Sequence, residues 1–83
     1  MSKKTQGKRV YHLAMHNLEP GEYGKSSEGS WYASAPNGYL ACLDGHDVVE
    51  HEDGTITVSP SILVHDDKKA WHGYLRLGIW EEC

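Results

Sequence analysis

With 83 residues, a formal charge of −4 and no Phe among its eight aromatics, the chain has room for one thin core and little else. The charge is uneven: residues 1–28 carry five basic and three acidic side chains (+2) and residues 29–83 three and nine (−6), which argues against nucleic acid as the main partner, because phosphate binding draws on clustered Lys and Arg. No apolar run approaches the roughly 18 residues that cross a bilayer, and the polar, basic start lacks the apolar stretch of a signal peptide, so the expectation is a cytoplasmic protein with no membrane contact and free thiols at Cys42 and Cys83.

Residues 1–9 hold Lys3, Lys4, Lys8 and Arg9 and almost nothing apolar, which reads as a flexible basic N-terminus in solvent. Val10, Leu13 and Met15 among polar neighbours loosely fit a first strand. Residues 17–30, NLEPGEYGKSSEGS, are dense in Gly, Ser, Glu and Pro, the composition of an exposed loop turning at Pro20-Gly21. From Trp31 onward short apolar runs alternate with turn signals: WYASA, Pro36-Asn37-Gly38, YLACL, Asp44-Gly45, HDVVEH, Glu52-Asp53-Gly54, TITVS. That rhythm predicts consecutive hairpins, with Ile56 and Val58 sharing one strand face and Thr55 and Thr57 the other. Pro60 cannot donate to a ladder, so Ser59-Pro60-Ser61 marks a bulge or crossing before the apolar run Ile62-Leu63-Val64. HDDKKA then reads as a loop, and WHGYLRLGIW as a strand pair or one long strand bent at Gly78.

The expected fold is mainly β: a small single domain over residues 10–83, made of antiparallel hairpins in an open sheet or a small sandwich or barrel, behind an irregular N-terminal segment. No span of ten or more residues shows a clean 3.6-residue period, so no long helix is expected. Val58, Ile62, Val64, Leu75, Leu77 and at least one of Trp71 and Trp80 are the expected core.

At SPSILV and WHGYLRLGIWEEC the chain resembles an uncharacterised family of small phage and prophage proteins. Members of that family run from a Cys-Pro-x-Cys near an aromatic, through Ser-Pro-Ser-Ile or -Leu, to a Cys-His followed by an apolar strand with an internal Gly and an acidic-Cys close. The resemblance spans residues 31–83, and Ser59-Pro60-Ser61-Ile62 is its most specific element. It implies a zinc site, because thiolates at short spacing plus an imidazole complete a tetrahedron. Carried over, Cys-Pro-x-Cys falls on Ala35-Pro36-Asn37-Gly38, which keeps the proline and neither ligand; Cys-His falls on Trp71-His72, and the close on Glu82-Cys83. Two donors of the implied four survive, so the expectation is no cofactor and no metal, the alternative being zinc on His72 and Cys83 with Cys42 or His46.

The densest polar cluster, DGHDVVEHEDG, joins His46 and His51 to Asp44, Asp47, Glu50, Glu52 and Asp53. On a strand the offset of five between the two histidines puts them on opposite faces, so a solvated acidic hairpin competes with a shared cation there. His72 and Cys83 could meet as an imidazole and a thiol, but a nucleophile on the last residue of this sequence is poorly held. His12, His16 and His65 sit singly. The sequence has no Gly-rich phosphate loop, no Ser-His-Asp spacing of note and no carboxylate pair in a recognisable acid/base frame, so no enzymatic activity is expected. Trp31, Tyr39, Trp71, Tyr74 and Trp80 are either core residues or anchors of a protein interface, since Trp and Tyr dominate such contacts.

Three roles follow. The first is a phage- or prophage-encoded accessory protein that binds a protein of the bacterial host or the phage without catalysis. The second is a zinc-binding domain. The third is a structural homodimer paired through a sheet edge.

Overall fold

The computed structural model of the chain describes residues 3–11, 17–65 and 70–83. These are mainly β, with nine strands among the described residues: β1 (Lys4–Gln6), β2 (Lys8–Arg9), β3 (Glu22–Lys25), β4 (Trp31–Ser34), β5 (Leu40–Cys42), β6 (Asp47–Glu50), β7 (Ile56–His65), β8 (Ala70–Arg76) and β9 (Ile79–Glu82). They form a five-stranded sheet in the order β1-β9-β8-β7-β6 and a four-stranded sheet in the order β2-β3-β4-β5. One buried cluster draws on both.

The inner face of the five-stranded sheet follows the two-residue period of its apolar residues. Val58 faces Leu75 on β8, Leu75 faces Trp80 on β9, and all three are fully buried with Ile56 and Ile62. Fully burying a side chain of this kind contributes about 1.5–3 kcal/mol, so these few residues dominate the folding free energy. The expected irregularity at Pro60 is present: β7 places Ser59, Pro60 and Ser61 where β8 places Tyr74 alone. That surplus of two residues preserves the alternation, and Ile62 and Val64 return to the same inner face as Ile56 and Val58. Trp71 and Trp80 meet edge to face with ring centroids 5.2 Å apart.

Hairpin turns fall at Asn37-Gly38 and Asp53-Gly54 as expected. At the second, Asp53 Oδ1 accepts from Thr55 N (3.0 Å) and Thr55 Oγ1 (2.6 Å), which holds the carboxyl below its ordinary pKa. Asp44-Gly45 is a correction: it joins β5 to β6, which lie in different sheets, and so makes a crossover rather than a hairpin.

The N-terminal third departs most from expectation. Residues 3–9 are not a flexible tail: β1 pairs antiparallel with β9, β2 pairs parallel with β3, and the chain passes from one sheet to the other at Gly7. Gly7 N donates to Gly78 O at 2.9 Å, and a Cβ added at Gly7 would stand 3.0 Å from Tyr23 Cε1 and 3.1 Å from Trp80 Nε1. Only a residue without a side chain lets the two sheets approach here. The expected exposed loop at 17–30 is likewise corrected, because β3 lies inside it and Tyr23 is buried. One aromatic among glycines and serines carries no period, yet Gly21 O accepts from both Trp80 Nε1 (3.0 Å) and Lys8 N (3.1 Å) and ties the segment to the core. The sheets therefore include residues 4–9, ahead of the expected boundary at residue 10. Leu13, Met15, His12, His16 and most of HDDKKA lie outside the described residues.

Leu77 is the remaining correction. Expected in the core, it is 62% exposed, at a positive φ of 51°, followed by Gly78 at 77°. Arg76 pairs with Ile79, so Leu77 and Gly78 are the two central residues of a hairpin whose twist requires positive φ at both. The turn interrupts the alternation that would have put Leu77 on the same face as Leu75.

Candidate binding surface

The outward face of the five-stranded sheet carries an unusual share of large apolar groups. Val49 (55%) and Leu63 (59%) are more than half exposed, Ile79 is 39% exposed, and Tyr74 is partly covered by Arg76, whose guanidinium carbon sits 4.0 Å from its ring centroid. Register places several of them in one row: Ile79 faces Arg76, Val49 faces Thr57, and the pairing of Val58 with Leu75 sets Thr57 beside Arg76. Leu77 joins the end of that row, its N–H donating to Thr57 Oγ1 at 3.0 Å. The same hydroxyl lies 2.7 Å from His51 Nε2. Thr57 and the exposed Arg76 stand between Val49 and Ile79 in that row, and Leu63 lies farther along β7 opposite His72, so the face offers apolar side chains interspersed with polar ones.

The aromatic residues separate into two groups. Trp71 and Trp80 are buried, so they belong to the core and cannot anchor an interface. Trp31, Tyr39 and Tyr74 are half-buried and stay accessible. Trp31 is engaged within the fold: the Arg9 guanidinium carbon lies 4.8 Å from its ring centroid and 4.5 Å from that of Tyr11. Arg9 Nη1 also donates to Glu50 Oε2 (2.8 Å) and Gly54 O (2.9 Å), so the side chain, only 12% exposed, pins the four-stranded sheet to the β6–β7 hairpin. Nothing in the basic N-terminal sequence marks Arg9 for this role, because its partners lie more than forty residues away.

The implied zinc donors do not converge. Ser61 Oγ and His72 Nε2 are 2.8 Å apart in a hydrogen bond, and His46 Nε2 lies 3.3 Å from Ser61 O. Cys42 is on the other sheet, paired across from Tyr32, whose phenol pKa it raises first, ahead of burial and of the charges on Asp44 and Glu28. Cys83 N donates to His72 O at 2.9 Å, yet among the described residues no group of three or more His, Cys, Asp or Glu side chains gathers as a metal site. His46 and His51 flank β6 rather than lying on it, and they turn to different partners. The Ser61–His72 pair has the spacing of a nucleophile and base, but both side chains are open to solvent and no described carboxylate orients the imidazole.

A cleft of about 210 Å³ opens between the sheets beside Lys3, Thr5, Asn37, Trp71 and Glu82. Asn37 Oδ1 accepts from Tyr39 N at 3.1 Å, while Nδ2 has no partner among the described residues. No helix among them is long and apolar enough to cross a membrane. Comparison with protein-family models, with curated proteins and with solved structures finds no match.

Proposed function

We propose that the chain is a non-catalytic accessory protein of the phage or prophage kind, acting in the bacterial cytoplasm by binding a host or viral protein through the outward face of its five-stranded sheet. The observation that carries this reading is Leu77. A non-glycine residue at positive φ costs roughly 1–2 kcal/mol, and Gly, Asn or Asp would fill the position with less strain. A leucine here accepts that strain and is still 62% exposed. Backbone strain kept beside Val49, Thr57 and Ile79 fits a side chain retained for contact with a partner rather than for stability. The likeness to small phage proteins supplies the source and the class of partner, and the half-buried Tyr74 supplies an aromatic at the patch.

The test is capture from bacterial lysate by the immobilised chain and by its Leu77→Asn and Ile79→Lys variants. One protein retained at near-equal stoichiometry by the parent and lost from both folded variants is the expected result. Capture indifferent to both substitutions removes the face from consideration. Self-association alone would favour the edge-paired homodimer, and stoichiometric zinc in the purified protein would favour the metal-binding domain.

A further inference from the structure

β6 closes the five-stranded sheet: it pairs with β7 on one side, and no described residue pairs with its other edge. An edge in this state presents a row of backbone donors and acceptors to any extended chain. Edges are commonly guarded by Lys, Pro or a bulge, but β6 reads Asp47-Val48-Val49-Glu50 and matches β7 residue for residue over all four positions. Its guard is negative charge. Asp44, Asp47, Glu50, Glu52 and Asp53 fall within ten residues, and no Lys or Arg occurs between Lys25 and Lys68. Among the described residues only Glu50 of these five forms a salt bridge, with Arg9.

We infer that β6 takes up an extended basic segment of the partner protein as a sixth strand. The inference rests on the protein-binding reading and specifies the edge and the chemistry of the occupant. Charge disfavours a second copy of this chain: two β6 edges brought together would gather their carboxylates with no Lys or Arg from either strand between them. A segment patterned basic-apolar-apolar-basic meets the same positions with opposite charges at its ends and apolar side chains beside Val48 and Val49. Backbone pairing supplies affinity in strand addition and the alternating side chains supply specificity, so the acidic edge favours a basic segment over a second acidic edge. Val49 belongs to both the edge and the outward apolar row, so an added strand would extend the surface that holds Leu77 and Ile79.

The probe is the blocked peptide acetyl-Gly-Lys-Val-Val-Lys-Gly-amide, titrated into the isotope-labelled full chain beside its Glu-for-Lys counterpart. The expected result is amide shifts confined to Asp47–Glu50 and their β7 partners, slowed exchange of the outer β6 amides, and no response to the acidic peptide. Asp47→Lys weakens binding of the basic peptide by roughly two- to fivefold, the size of one cross-strand charge pair. Shifts at β5 or β2, no shift at millimolar peptide, or β6 edge amides already protected in the free protein would overturn the inference. Leu77→Asn separates the two readings. If it abolishes lysate capture while the peptide leaves β6 unmoved, the binding face stands and strand addition falls. If the peptide pairs at β6 while capture is indifferent to Leu77→Asn, strand addition stands and the binding face falls.

Discussion

On its inner face the five-stranded sheet presents Ile56, Val58, Ile62, Val64, Leu75, Trp71 and Trp80, while the four-stranded sheet answers with Ala33, Ala35, Ala41, Leu43 and a single tyrosine. One side fills the core with volume and the other approaches it closely. The large residues contribute through area removed from water, and truncating them leaves cavities. The small ones contribute mainly by letting backbone reach backbone, as at Gly7 and Gly21, and the Arg9 side chain then fastens the two sheets at one corner. The outward faces differ as well, since most of the exposed large apolar side chains, Val49, Leu63, Leu77 and Ile79, belong to the five-stranded sheet and its β8–β9 turn, and Leu40 to the other sheet. Buried volume and exposed apolar side chains thus lie on opposite faces of the same sheet.

The hardest blow to this division is Trp80→Ala. It removes the largest fully buried side chain and the donor to Gly21 O, and should cost about 3–5 kcal/mol, enough to unfold a domain of ~5 kcal/mol, as urea denaturation would show. Next is Arg9→Met, which keeps an apolar stem but loses the guanidinium that lies over Tyr11 and Trp31 and bonds to Glu50 and Gly54. A loss of about 1–3 kcal/mol is expected, discounted from a buried pair because Glu50 remains half in solvent. Amide exchange should quicken in β2 and β3 before β8 and β9, separating the corner fastening from the volume-filled core.

Leu77→Asn has the opposite sign. Relief at the positive φ should stabilise by about 1 kcal/mol, read as a rise in melting temperature of roughly 4–8 °C. An unchanged or lowered midpoint would mean that Leu77 supports the fold and is not held for a partner. The smallest effect is alkaline. Burial raises the Tyr23 phenol above its ordinary value of 10.0, outweighing the lowering by Arg9. The folded state therefore holds that proton more tightly than the unfolded chain. Stability from this group is complete below pH 10 and declines as pH rises from there through the higher folded pKa, a slope that Tyr23→Phe should flatten in denaturation series above pH 10.

Legibility in the sequence follows the same division. The strands of the five-stranded sheet can be read because Ile56, Val58, Ile62 and Val64 on β7, and Trp71 and Leu75 on β8, fall at even spacing and the turns are marked by Gly, Asp and Pro. Tyr23, Gly7 and Arg9 cannot, because their value lies in contacts with residues far along the chain and none creates a local period. Trp71 and Trp80 resemble anchors because tryptophan is common at interfaces, but a core without phenylalanine uses both for volume. Leu77 is misplaced when alternation is extrapolated through a hairpin turn that carries no Asn-Gly or Asp-Gly signal. The candidate surface is therefore only partly legible: Tyr74 can be read from the sequence, whereas Leu63, Ile79 and the strained Leu77 need the register.

The central claim, that binding belongs to the outward face and β6 edge of the five-stranded sheet, is tested most directly by hydrogen–deuterium exchange on the captured complex. The account predicts slowed exchange over β6, the outer part of β7 and the Leu77-Gly78 turn, with β3, β4 and β5 exchanging as in the free chain. Protection gathered on β3–β5, with β6 and the Leu77-Gly78 turn unchanged, would contradict it.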